Sequence, residues 1–160
     1  MEKEQVLSKL NDYIIWMESL KTIPEQIASL PYKEGKWSPN EIVMHMAEWD
    51  RFTREERLPD MKEGKELEDV PWGPFNDAAA SLARKQTFAE TIEYAKKQRQ
   101  RNIDALKKID DSQWDESFKI GGHALSIREY FSDFIHHDLH HKEQIESVRP
   151  AVENNYSNGI

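Results

Sequence analysis

The sequence has no cysteine, which excludes disulfides, thiolate metal sites and a cysteine nucleophile. Glycine and proline are scarce, at 6 and 7 of 160 residues, so neither a collagen-like nor a disordered class fits. No apolar run approaches the ~18–20 residues that cross a bilayer. Positive charge is also short: 22 basic side chains against 30 acidic ones leave a net charge of −8. The phosphate neutralisation that drives non-specific nucleic-acid binding is therefore missing. One basic cluster, Lys96-Lys-Gln-Arg-Gln-Arg101, is expected to be a solvated helix face. The charged start, Met1-Glu-Lys-Glu-Gln, runs directly into a helical pattern, so no secretory leader is expected. These absences point to a cytoplasmic protein without nucleic-acid or membrane partners.

What is present is helix. Apolar side chains at Val6, Leu7, Leu10, Tyr13, Ile14, Met17 and Leu20 carry the 3.6-residue period of a first helix over 2–21. Pro24 and Pro31 bracket a connector in which Glu25–Leu30 can form a helical turn. Ser38-Pro39-Asn40-Glu41 is a capping box with proline at the first helical position, and Trp37 and Ile42 are placed as its hydrophobic staple. The second helix is predicted from 39 to Leu58, stopped by Pro59, with Ile42, Met46, Trp49 and Thr53 inward. Thr87-Phe-Ala-Glu90 and Ser126-Ile-Arg-Glu129 open the third and last helices in the same way. Between the second and third lies an irregular stretch, 59–86, broken by Gly64, Pro71, Gly73 and Pro74. Trp72 and Phe75 there either cover a pocket or plug the end of a bundle, and 77–85 can add a short helix. Gly121-Gly122 marks a turn; two short extended segments can flank it, although the fold does not require them.

The pattern is all-α: a four-helix bundle over 1–150 with a long crossover between its second and third helices. A polar tail occupies 151–160. Such bundles build cofactor sites in their interior from side chains on facing helices.

Four of the six histidines fall in the last helix, at 136, 137, 140 and 141. With Phe134 at zero on a helical wheel, Ile127, Tyr130, Phe131, Ile145 and Val148 lie within roughly 60°. His141 falls near roughly −20° and His137 near roughly −60°, in the same stripe. His136 and His140 lie opposite. On the second helix, His45 falls within about 60° of Ile42 and faces the core. Three imidazoles from two helices can share one divalent ion, and three protein ligands leave positions open for water or substrate. The alternative is that His137 and His141 are merely hydrogen-bonded to Tyr13 or to buried carboxylates. His123, beside the glycine pair, is expected to be an exposed side chain. His137-Asp-Leu-His-His141 is not a zincin helix, because Asp138 replaces the general-base glutamate and strands are lacking. Asp138 and Glu48 are candidates to orient metal-bound imidazoles.

The run Trp37-Ser-Pro-Asn-Glu-Ile-Val-Met-His45-Met-Ala-Glu-Trp and the closing His137-Asp-Leu-His-His141-Lys-Glu-Gln-Ile145 resemble the DinB-like family. That resemblance spans roughly 5–149. It implies a small bacterial four-helix bundle related to bacillithiol S-transferases, often homodimeric, with divalent-metal ligands falling on His45, His137 and His141. The metal is then zinc, nickel or iron. The implied activity is a metal-dependent transfer or hydrolysis, with a small thiol or water activated at the three-histidine site and a small-molecule electrophile as substrate. The alternative is a non-catalytic, stress-associated metal-binding homodimer, for which Ile135 and Leu139 could supply a contact, or they could equally cover the edge of the first helix.

Overall fold

The computed structural model describes residues 1–149; the proposed polar tail over 151–160 and the stop at Pro150 lie outside them. Four long helices form the bundle: α1 (Lys3–Ser19), α3 (Pro39–Phe52), α5 (Phe88–Lys107) and α6 (Ile127–Glu146). Two short ones, α2 (Glu25–Ala28) and α4 (Trp72–Ala83), join them.

The starts obey local chemistry. At α3 the Ser38 hydroxyl accepts from the Glu41 N–H at 3.1 Å, and the Glu41 carboxylate accepts from the Ser38 N–H at 3.1 Å. Thr87 and Glu90 repeat the exchange at α5. At α6, Ser126 accepts from the Glu129 N–H, while the return bond to the Ser126 N–H is not formed. Each cap stabilises its helix by about 1 kcal/mol. Glu25 adds a tertiary cap, because its carboxylate accepts from the Phe88 and Ala89 N–H groups at the start of α5.

Two expectations are corrected. The second helix does not run as α-helix to Leu58. It passes at Thr53 into a π turn (Thr53–Arg57) and then a 3₁₀ turn (Leu58–Asp60) that includes Pro59. The short helix expected at 77–85 begins at Trp72. Gly73 and Pro74 do not break it, because first-turn N–H groups have no intrahelical partner and proline loses nothing there. The two extended segments that can flank the glycine pair do form, and a further strand joins them. β2 (Phe118–Ile120) and β3 (His123–Leu125) form a hairpin across Gly121-Gly122, and β1 (Glu66–Leu67) pairs parallel to β2. Gly121 and Gly122 both have positive φ, at 55° and 83°, which only glycine adopts readily.

The core falls into two apolar clusters. One joins Met17, Ile42, Met46, Phe88, Ile92 and Ile145. The other joins Val6, Leu10, Ile103, Leu106, Phe131 and Ile135. Burying each large side chain contributes about 1.5–3 kcal/mol. α3 is covered on nearly every side, since Ala79, Ala80 and Ala83 of α4 are buried against the bundle. Asn40 secures that contact, donating to the Ala83 and Gln86 carbonyls at 3.0 and 3.2 Å.

Between the clusters lies a polar layer. Arg99 of α5 is fully buried and donates to Asp50 of α3 at 2.8 and 3.2 Å and to Asp138 of α6 at 2.8 and 3.0 Å. The basic cluster 96–101 is thus not a uniformly solvated face. Arg99 continues the buried stripe Ile92–Ala95–Ile103–Leu106 at helical spacing. Among the described residues, no helix is long and apolar enough to cross a membrane.

Candidate metal centre

His45 leaves α3 toward α6, where His137 and His141 stand one turn apart. One nitrogen from each of the three lies within 4.8 Å of the others. The ring centroids are 4.5 Å apart for His137–His141, 5.0 Å for His45–His141 and 5.8 Å for His45–His137. His45 and His141 are buried, at 4% and 6% exposure.

His137 is exposed at the rim rather than interior, which corrects its expected place. The buried face of α6 is turned further toward α1 than a wheel centred on Phe134 implies. Ile135 is buried with Val6 and Leu10 of α1, while Phe134 is half-buried. Leu139 stays exposed, as do His136, His140 and His123.

The orienting groups are not the expected carboxylates. Asp138 is held by Arg99, and Glu48 accepts from Arg51 at 2.8 Å and from Tyr94 at 2.8 Å. Tyr13 faces Met46 instead of the histidines. The partner of His141 is Gln144, whose Oε1 accepts from Nδ1 at 2.8 Å. The amide orientation is fixed by its other end, where Nε2 donates to the Tyr32 hydroxyl at 3.3 Å. With the proton on Nδ1, the buried Nε2 of His141 carries a lone pair and has no hydrogen-bond partner. Nδ1 of His45 is likewise buried and unpartnered. Asn76 of α4 approaches His45 and raises its pKa slightly, against a larger effect of burial. Sequence reasoning missed Gln144 and Asn76. Gln144 was within reach, lying three residues after His141 and so on the same helical face.

Burial, then the neighbouring imidazoles, push the His45 pKa down to about 3. Burial brings His141 down to about 4 and lowers His137 as well. All three are neutral at physiological pH, the form that ligates metal. Buried lone pairs without donors, converging from two helices, fit a divalent transition metal.

Two recesses reach the cluster. A cavity of about 490 Å³ runs from His137 past Trp49, Trp72, Tyr130 and Phe134 to the β2–β3 hairpin. Trp72 packs on Trp49 with centroids 4.1 Å apart, so the crossover does cover a pocket. A smaller recess of about 180 Å³ lies at His141, Gln144, Tyr32 and Trp37.

Known proteins share this architecture. No curated protein matches the chain. YfiT from Bacillus subtilis, described as a probable metal-dependent hydrolase with an unusual four-helix bundle topology, superposes with a TM-score of 0.78 at 15% identity, covering 94% of this chain and 87% of its own. An uncharacterised protein from Clostridium difficile 630 superposes with a TM-score of 0.64 at 12% identity, covering 100% of this chain and 98% of its own. At those identities the likeness is one of fold. The DinB superfamily model matches residues 15–145, a span that contains all three histidines. The chain belongs to the DinB superfamily.

Proposed function

We propose that His45, His137 and His141 bind one divalent transition metal ion, and that the protein is a metal-dependent enzyme activating a small thiol or water for transfer or hydrolysis. The observation that carries this is the convergence of three neutral imidazoles, two with buried unpartnered nitrogens, at the end of an aromatic cavity. The description of YfiT as a probable metal-dependent hydrolase on this fold supports the same class. A bound ion supplies Lewis acidity, lowering the pKa of a thiol or water beside it.

The chain's own residues do the rest. Gln144 holds the proton on His141 Nδ1 and so aims Nε2 at the cluster. Exposed His137 leaves the large cavity open to an incoming molecule, while Trp49 and Trp72 keep water off one wall. The recess at His141 gives a second approach, which suits a thiol and an electrophile arriving from different sides.

Elemental analysis of the purified protein tests the first half; one zinc, nickel or iron per chain is expected, lost in His45→Ala. Turnover of an ester and of an electrophile with a small thiol, each compared with His137→Ala, tests the second. Activity indifferent to that change removes the enzyme reading. A large metal-dependent rise in melting temperature with no turnover in either assay supports a non-catalytic metal protein instead.

A further inference from the structure

At the end of the π turn one positive charge lacks a counter-charge. Arg57 is 5% exposed, and among the described residues it makes no ion pair. Its Nη1 donates to the Tyr130 hydroxyl at 3.3 Å, while Nε and Nη2 have no hydrogen-bond partner. Four rings surround the guanidinium: Phe52 at 5.0 Å, Trp72 at 5.6 Å, Trp49 at 5.7 Å and Tyr130 at 5.8 Å from Cζ. Cation–π attraction offsets part of the burial cost. The charge itself cannot be shed, because arginine does not deprotonate in proteins.

Nε and Nη2 form one edge of the planar fork, the edge that takes a carboxylate with two parallel bonds. Arg99 of this same chain shows the arrangement completed, with Nε and Nη2 on the two oxygens of Asp50. On Arg57 that edge has no carboxylate. Arg57 lines the large cavity, and the Trp49 ring, 5.7 Å from its Cζ, is 6.4 Å from the His137 ring. The π turn helps set this position, since one extra residue in a turn rotates the downstream chain by about 100°.

We infer that Arg57 is the anion receptor of this cavity. The cavity takes a small monocarboxylate with an apolar or aromatic body, its carboxylate on the Nε–Nη2 edge and its other end directed toward His137. The walls fit such a body, being Trp49, Trp72, Ile120, Leu125 and Phe134. Asp69 and Asp133 also line the cavity and are exposed. Their charge disfavours a phosphate dianion more than a single carboxylate. Because Nε and Nη2 are sheltered from solvent, an entering carboxylate displaces part of the aromatic wall. This reading names the substrate class of the proposed enzyme and rests on it for the reaction, but the binding step stands without metal.

The test is a tryptophan-fluorescence titration with 3-phenylpropionate, its neutral amide and inorganic phosphate, on the protein as purified and after dialysis against a chelator. Saturable binding of the carboxylate is expected in both preparations, with the amide about tenfold weaker or more. Arg57→Met should lose that preference and keep the amide's affinity. Arg57→Lys, which retains charge without the fork, should lose most of it and serves if the methionine variant does not fold. Equal binding of carboxylate and amide, tighter binding of phosphate, no saturable signal, or undiminished carboxylate binding by either variant overturns the assignment. Metal content, measured separately, decides the fate of the three-histidine site.

Discussion

Gln144→Leu offers a sharp test of the three-histidine site, because it touches no proposed ligand nitrogen. The glutamine accepts from His141 Nδ1 at 2.8 Å and holds that imidazole's tautomer. Removing the acceptor leaves a buried N–H unsatisfied and lets the proton move to the nitrogen that should face the ion. Loss of such an orienting partner typically costs about 10–100-fold in metal affinity, or about 1.4–2.8 kcal/mol. The recess beside Gln144 and His141 is large enough to admit a water that restores part of the bond, which places the expected loss nearer tenfold. Gln144→Glu keeps an acceptor and adds a charge beside the imidazole, so its affinity should equal or exceed the parent's. Competition for zinc with a chromophoric chelator at pH 7.5 measures both. Zinc affinity within twofold of the parent in folded Gln144→Leu would refute the assigned role of this bond and weaken the case for His141 as a ligand.

Other consequences can be checked by unfolding. Burial, resisted by Arg99, pushes the Asp50 carboxyl up to about 6. A folded pKa above the unfolded value of about 3.9 contributes stability below pH ~4, lost as pH rises toward 6. Relative to Asp50→Asn, the parent should therefore gain about 2 kcal/mol between pH 7 and pH 4, and a constant gap in urea midpoints contradicts this. The depressed pKa values of His45 and His141 work oppositely in metal-free protein, whose stability should fall below about pH 6.5 as the unfolded chain takes up protons. The Tyr130 hydroxyl lies 2.8 Å from Thr53 Oγ1 and accepts from Arg57. Tyr130→Phe should cost about 1–3 kcal/mol in urea unfolding, and a change under about 0.5 kcal/mol speaks against a buried network there.

How far the sequence could be read depended on the length of the signal. The long helices announce themselves through many apolar positions and through Ser38, Thr87 and Ser126 at their starts. Strands of two or three residues carry too little alternation to be required by pattern, so only the Gly121-Gly122 turn hinted at β2 and β3 and nothing marked β1, while Gly73 and Pro74 read as breakers although they sit in a first turn that tolerates them. His45 and His141 were legible because their helical angle coincides with an apolar stripe. His137, at the edge of that stripe, was placed too deep, since its exposure is set by how α6 rolls toward α1 through Ile135. Arg99 and Arg57 were not legible by composition, which counts a buried and a solvated arginine alike. Arg99 could have been found from its position on the Ile92–Leu106 stripe. Arg57 depends on a π turn that no sequence feature marks.

The buried charge and the histidines form one device. The guanidinium of Arg99, on α5, bonds at once to the helix that carries His45 and the helix that carries His137 and His141. Asp50 comes little more than a turn after His45, and Asp138 adjoins His137, so the clamp fixes the separation and roll of both helices beside the site. Buried ion networks contribute little net stability, and apolar residues of similar volume often replace them at no loss. Their use here is then positional, and the two roles separate experimentally. Arg99→Met alone leaves two carboxylates without their cation and should destabilise the fold by about 3–5 kcal/mol. The triple change Asp50→Leu, Arg99→Met and Asp138→Leu removes all three charges and should recover most of that stability. Zinc affinity, measured by the same chelator competition, should stay at least about tenfold below the parent's, because apolar packing does not set α3 and α6 at a fixed roll. A triple variant that is stable and binds zinc as tightly as the parent shows that the bundle alone places the imidazoles, and the clamp is then no part of the site.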